Sequence, residues 1–278
     1  MSRVVLITGC STGIGRALTE ACLSRGDLVI ATARKASALE YLADIENATR
    51  LILDVNNDEN LRDVFSKVTE DFGSIDLLIN NAGYAAMGPV VELQTDELRQ
   101  QFATNVFAPV AVTRHALPLL KASGGAVVVN VGSVSGILTT PFSGAYCATK
   151  AALHSLSDAM RMELAPFNIR VLTVQPGAIQ SSFGDNSLAG VEHLLTEDSA
   201  YRAVEDKIRE RAVASQQNPT TANDFAKELL EHIDKGSGPV IRIGNGSTAL
   251  PAMKRWLPLR LLDRILGKKF GLDKIKAG

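Results

Sequence analysis

Cysteine, histidine and aromatic residues are all sparse in this 278-residue chain: three Cys, four His, one Trp and 5% aromatics overall. Cys10, Cys22 and Cys147 leave one thiol unpaired in any pairing scheme, which excludes a disulfide scaffold and suits a reducing compartment. They show no metal-ligand spacing. His115, His154, His193 and His232 are scattered and read as surface or satisfied polar positions, so no metal is expected. An excess of one charge sign is missing as well. Lys and Arg total 29 against 30 Asp and Glu, and a net charge of -1 gives the whole chain no attraction to nucleic acid. Long apolar runs are absent: "MSRVVLITG" passes straight into a strand-like run, without the stretch of a signal peptide or membrane span, and a cytoplasmic protein is expected. There is no repeat, linker or low-complexity tract to mark a second domain, and the length fits one α/β domain with elaborations.

What is present is a rhythm. "RVVLIT", "LVIATA", "RLILDV", "IDLLIN", "GAVVVNVG" and "IRVLTVQPG" are short β-branched runs. Helical patterns separate them: Ile14 to Arg25, a short one after "LVIATA", Asn57 to Phe72, Thr95 to Lys121, and a segment around Tyr146. Strands that are continuously apolar rather than alternating belong to a parallel sheet covered on both faces, so the expected fold is α/β, a doubly wound Rossmann-type sheet. "NDFAKELLEHI" and "GPVIRIG" add one more helix and an edge strand.

Two clusters carry chemistry. "TGCSTGIG" places Gly9, Gly13 and Gly15 between the first strand and first helix, where glycine lets backbone approach a pyrophosphate at a helix N-terminus; a tight connection with nothing bound reads the same way. In "SGAYCATKAALHSL", Tyr146 and Lys150 stand four apart, stacked on one face if helical. They are either a ring packed on a lysine stem or a phenol sharing a small space with an ammonium.

The glycine spacing, G-x-x-x-G-x-G, resembles the cofactor loop of the short-chain dehydrogenase/reductase family. Further motifs follow in family order: "LDV" with Asp54, "NNAG" from Asn80 to Gly83, and "PG" at Pro176 and Gly177. Asn105, Ser133, Tyr146 and Lys150 occupy the places of the family's four catalytic residues. The resemblance covers roughly residues 3 to 245. It implies a cofactor set of Gly9, Ser11, Thr12, Gly13, Ile14, Gly15, Arg34, Lys35, Asp54, Val55, Asn81, Ala82, Gly83, Tyr146, Lys150, Pro176, Gly177, Ile179 and Ser181. It also implies that Lys150 holds the nicotinamide ribose and that Asn105 holds a water linking that lysine to solvent. Moving a hydride to a carbonyl carbon leaves charge on oxygen, so Tyr146 is expected as proton donor, Lys150 as the cation lowering its pKa, and Ser133 as hydrogen-bond donor to the oxygen.

NAD-specific sites commonly place an acid at the end of the second strand; here "ATARKA" offers Arg34 and Lys35, which favours the phosphate of NADPH unless these are only solvated loop residues. The expected activity is NADP(H)-dependent reduction of a bulky hydrophobic ketone or aldehyde. A non-catalytic NADP(H) sensor, and a methyltransferase or nucleotide-sugar epimerase with a related loop, are the alternatives. "ATAR" and "PVIRIGNGS" resemble the hydroxysteroid and retinol dehydrogenase-like branch. Family geometry gives the pocket an apolar wall of Tyr84, Met87, Leu138, Phe142, Ile179 and Phe183, with residues 182–215 as a lid or a plain surface insertion. Apolar residues around much of "FATNVFAPVAVTRHALPLL" suggest a second buried face and a homodimer or homotetramer.

Residues 1–250 form the expected catalytic domain and 251–278 an extension. From Lys254 onward there are eight Lys or Arg and two Asp. Leu261, Leu262, Ile265 and Leu266 would line one helical face and Arg260, Arg264 and Lys268 another. Such a helix either packs on the domain or over the substrate opening, or attaches to an anionic membrane with Trp256 and Phe270 at the interface.

Overall fold

The computed structural model describes residues 2–181, 183–191 and 197–275. Residue 182, residues 192–196 of the expected lid with His193 among them, and residues 276–278 of the tail lie outside that set. Seven strands alternate with the principal helices. They are β1 (Val4–Ile7), β2 (Leu28–Ala33), β3 (Ala48–Ile52), β4 (Leu77–Asn80), β5 (Val127–Val131), β6 (Arg170–Pro176) and β7 (Val240–Ile243). The helices are α1 (Gly13–Ser24), α2 (Asp58–Phe72), α3 (Thr95–Phe102), α4 (Ala108–Ser123), α5 (Gly144–Leu164), α6 (Phe183–Val191), α7 (Glu205–Ala212), α8 (Ala222–Asp234), α9 (Ala249–Trp256) and α10 (Leu259–Lys269).

All neighbouring strands are parallel, in the order β3-β2-β1-β4-β5-β6-β7. Alternate strand residues serve opposite faces. Val5 and Ile7 join Leu18 and Cys22 of α1 and Phe225 and Leu229 of α8, while Val4 and Leu6 join Phe65 of α2, Leu120 of α4 and Met160 of α5. Each fully buried Val, Leu, Ile or Phe contributes about 1.5–3 kcal/mol of transfer free energy, which is why both faces are covered. Chain order reverses between β1 and β4, and a doubly wound sheet opens its ligand crevice there, beyond the strands' carboxyl ends.

Local chemistry sets the helix boundaries. The Asn57 side chain accepts the Asn60 N–H (3.0 Å) and starts α2, and Gly73, at φ 71°, ends it. The short helix expected after β2 is a 3₁₀ segment, Ala36–Leu42. The long helix expected from Thr95 to Lys121 is interrupted by a π turn, Ala103–Phe107, centred on Asn105. A buried Asn that bonds outside its own helix displaces the regular ladder, and such turns recur at functional sites.

A third cluster lies above the strand ends rather than on the sheet. Met87, Phe142 and Tyr146 meet Ile208 and Ala212 of α7 and Phe270 beyond α10, with Leu266 packed against them. α9 begins at Ala249, so the expected division at 250/251 falls inside its first turn.

Candidate active site

The crevice at the reversal point is lined by backbone. Gly9 and Gly13 have φ of 75° and 57°, which favour glycine. A Cβ on Gly9 would stand 2.9 Å from the Ala82 Cα, one on Gly13 would stand 2.7 Å from the Ser181 Cβ, and one on Gly15 would strike the Gly9 carbonyl. The "NNAG" turn is pinned to the same place: Thr8 Oγ1 accepts from Asn81 N and Ala82 N (both 3.0 Å), and Asn81 Nδ2 donates to Thr8 O (2.9 Å) and Gly9 O (3.0 Å).

One cavity of about 910 Å³ runs from this cradle. Ser11, Thr12, Ile14 and Val55 border it beside the glycines, with Arg34, Lys35 and Asp54 at the β2–β3 end. Asn81, Ala82, Gly83, Pro176, Gly177, Ile179 and Ser181 border its middle, and Ser133, Tyr146 and Lys150 the far end. Arg34 and Lys35 are exposed, and no salt bridge to either is found among the described residues. The Asp54 carboxylate accepts the Asn56 N–H (3.0 Å). An elongated cleft with a side-chain-free floor at a helix N-terminus and free cations at one end fits an extended dinucleotide with phosphates.

At the far end, α5 buries Tyr146 and Lys150 on the same face. Burial pushes the Tyr146 phenol up to about 12, opposed by the neighbouring Ser133 hydroxyl. This corrects the expectation of a phenol lowered by Lys150. The lysine is itself desolvated, which lowers it to about 8, and its Nζ donates to Val131 O (2.7 Å) while standing 5.8 Å from the phenol ring centre. Asn105 stands behind the cavity wall. Its Oδ1 accepts the Tyr84 N–H (3.1 Å), and its Nδ2 donates to Tyr84 O (2.8 Å) and Thr149 Oγ1 (3.1 Å), so the π turn clamps the chain at Tyr84 against α5.

Two residues near this end escaped the sequence reading. His154, one turn beyond Lys150, accepts the Ser133 N–H on Nε2 (3.3 Å). Burial and the adjacent Lys150 hold it down to about 4, so it is neutral near pH 7. Arg211 of α7 reaches into the cavity and donates from Nε to Thr140 Oγ1 (2.8 Å) and from Nη2 to Ser143 Oγ (3.0 Å).

Tyr84, Met87, Leu138, Ile179 and Phe183 do line the cavity. Phe142 sits behind that wall, edge-on to Tyr201 and Phe270. Of the described part of 182–215, Phe183, Arg211, Ala212, Ala214 and Ser215 border the cavity, and Glu92 anchors the segment by accepting from Ser199 Oγ (2.8 Å) and Ala200 N (2.9 Å). Lys269 and Phe270 of the tail also border the cavity. Phe270 is buried there rather than presented outward with Trp256, because the neighbouring aromatic and aliphatic side chains remove it from water.

The model of the short chain dehydrogenase family matches residues 3–192. The chain belongs to that family. A short-chain dehydrogenase of this kind is an oxidoreductase acting on CH–OH groups with a nicotinamide cofactor. An uncharacterised oxidoreductase of Bacillus subtilis is 33% identical, over 96% of this chain and 98% of its own. The NADPH-dependent 1-acyldihydroxyacetone phosphate reductase of Saccharomyces cerevisiae is 30% identical, over 98% of this chain and 93% of its own. Among solved structures, a short-chain dehydrogenase from Streptomyces avermitilis superposes with a TM-score of 0.79 at 32% identity, covering 99% of this chain and 97% of that one. One from Burkholderia phymatum, in complex with NAD, has a TM-score of 0.77 at 26% identity and covers 95% of each chain.

Proposed function

We propose that this short-chain dehydrogenase uses NADPH to reduce a bulky, hydrophobic ketone or aldehyde. The observation that carries the reading is the convergence of Ser133, Tyr146 and Lys150 on the end of a cavity whose other end holds Arg34 and Lys35. The glycine cradle holds the pyrophosphate, Arg34 and Lys35 hold the 2'-phosphate, and Asp54 and Val55 border the adenine. When bound, NADPH supplies the hydride for the carbonyl carbon. Tyr146 donates its proton to the carbonyl oxygen, Ser133 donates a hydrogen bond to it, and Lys150 orients the ribose and offsets charge left on the phenol. Asn105 holds the π turn and, through it, the water that links Lys150 to solvent. The raised Tyr146 pKa keeps the acid protonated throughout the neutral range.

Loss of NADPH absorbance with a panel of ketones and aldehydes tests this. Tyr146→Phe should retain NADPH binding and lose about 100-fold or more in turnover. Near-normal turnover by that variant overturns the mechanism, and no turnover by the unaltered enzyme with any carbonyl favours the sensor.

Several finer assignments belong to the same proposal. The "ATAR" and "PVIRIGNGS" segments support the hydroxysteroid and retinol dehydrogenase-like branch. Three buried, free thiols support a cytoplasmic setting, and no described helix is long and apolar enough to cross a membrane. Exposed Phe107 and Val110 near the start of α4, with Leu156 and Met162 on α5, support a homodimer face. Trp256, Leu259, Leu261 and Ile265 are exposed while Leu262 packs inward, which supports a peripheral contact of the basic tail with an anionic membrane, and its inner face supports a lid role.

A further inference from the structure

The substrate end of the cavity contains a cation that nothing in the hydride-transfer chemistry requires. Arg211 belongs to the last turn of α7, yet it turns away from Arg209, which pairs with Glu205 and Asp206 on the outer side. Its two hydrogen-bond partners among the described residues are hydroxyls. Thr140 Oγ1 and Ser143 Oγ, themselves 2.8 Å apart, receive Nε and Nη2 and hold the guanidinium plane against the turn that begins α5. No carboxylate lies within salt-bridge distance of Arg211 among the described residues. The only carboxylate bordering the cavity among those residues is Asp54, on the far cofactor side.

A guanidinium carries five N–H donors in a fixed fork, and two of them are spent on the hydroxyls. The other three have no hydrogen-bond partner among the described residues, and the residue borders the cavity with part of its surface open. Protein crowding elsewhere around it lowers its pKa from the ordinary arginine value by desolvation, against the influence of Cys147 and Tyr146. A desolvated charge without a counter-charge is costly, and an anionic ligand removes that cost while gaining charge-assisted bonds. Solvent alone could hydrate a cation on the outer surface. Here the fork is instead oriented by Thr140 and Ser143, in a cavity that Phe183, Ala212 and Phe270 also border.

We infer that Arg211 is an anion subsite: the substrate is an amphiphilic carbonyl compound bearing a carboxylate or phosphate that docks on the free edge of this guanidinium. The inference rests on the reductase reading and narrows its substrate class. Arg211 and Tyr146 border the same cavity and are within electrostatic reach of each other, so one ligand can meet both. The apolar remainder runs along Met87, Leu138 and Phe270, and Lys269 at the rim adds a second cation on the approach.

The test is calorimetric and needs no turnover. The NADP+-saturated full-length enzyme is titrated with decanoate, decyl phosphate and decanol, all below micellar concentration, beside Arg211→Met and Arg211→Lys. At least one anion should bind about 10- to 100-fold more tightly than decanol. Arg211→Met should erase that preference while leaving NADP+ and decanol affinities in place, and Arg211→Lys should restore part of it. The two anions separate a carboxylate from a phosphate subsite. Equal binding of anions and decanol by the unaltered enzyme overturns the inference, as does an anion preference that survives in Arg211→Met. If Arg211→Met fails to fold, the unaltered enzyme and Arg211→Lys still decide. Failure of the reductase reading shows separately, as absence of carbonyl-dependent NADPH consumption.

Discussion

Replacing Lys150 with methionine should make the protein more stable and inactive at once. The ammonium is buried, and its pKa falls from the ordinary 10.5 to about 8 through desolvation. At ~1.4 kcal/mol per pH unit, the charged form costs the folded state about 3 kcal/mol relative to the unfolded chain. Methionine has a similar length and no charge to desolvate, but it forfeits the bond from the charged Nζ to Val131 O, worth about 2 kcal/mol. The net gain is about 1 kcal/mol, or a rise in Tm of about 2 °C for a chain of this size. The pH dependence identifies the cause. A lysine whose folded pKa is depressed is destabilising throughout the range below the folded value, and the penalty fades as pH rises from about 8 towards the unfolded value. Lys150→Met should therefore melt higher than the unaltered protein at about pH 7 and alongside it at about pH 10. Paired melting curves at the two pH values check this, since all other groups titrate in both proteins. A variant less stable at neutral pH, or equally advantaged at both, refutes the assignment of Lys150 as a charge held at a cost for catalysis.

Arg34→Ala should weaken NADPH binding by about 10- to 100-fold and NADH binding far less, because only NADPH carries the phosphate; equal losses in fluorescence titrations would assign Arg34 a structural role. A chain ending at Pro251 should lose both co-sedimentation with anionic liposomes and reductase activity. Retained lipid binding would remove the membrane contact from the tail, and retained activity would remove its lid role. Light scattering at micromolar concentration should report a dimer or tetramer, and Phe107→Asp should yield monomers; a monomeric starting protein would leave the exposed faces of α4 and α5 without a partner.

The strands and principal helices were legible because their signals are local. A continuously apolar run such as "GAVVVNVG" has one stable placement, inside a parallel sheet, and the Tyr146 and Lys150 spacing has one consequence, a shared helix face. Even the disturbance at Asn105 could be anticipated from its poor helix propensity, although the π turn is set by bonds to Tyr84 and Thr149. What stayed hidden depends on segments distant in the chain. His154 looked like any scattered histidine until the fold placed it under Ser133, and Arg211 became a pocket residue only when α7 crossed the turn holding Thr140 and Ser143. Phe142 was misplaced for the same reason, and the sequence left Phe270 open between packing on the domain and a membrane interface. Their hydrophobicity announced burial, but not that each would bury the other. The Tyr146 pKa failed differently: spacing revealed the cation but not the depth of the phenol, and depth is the stronger influence.

The contact between Phe142 and Phe270 has a consequence for the order in which the protein is built. Phe270 follows β7 in the chain, so all seven strands can be synthesised and paired while one wall of the substrate cavity does not yet exist. The crevice at the β1–β4 reversal draws only on earlier residues and is complete at that stage. A growing chain thus completes its dinucleotide crevice before the far end of the same cavity is walled off from water.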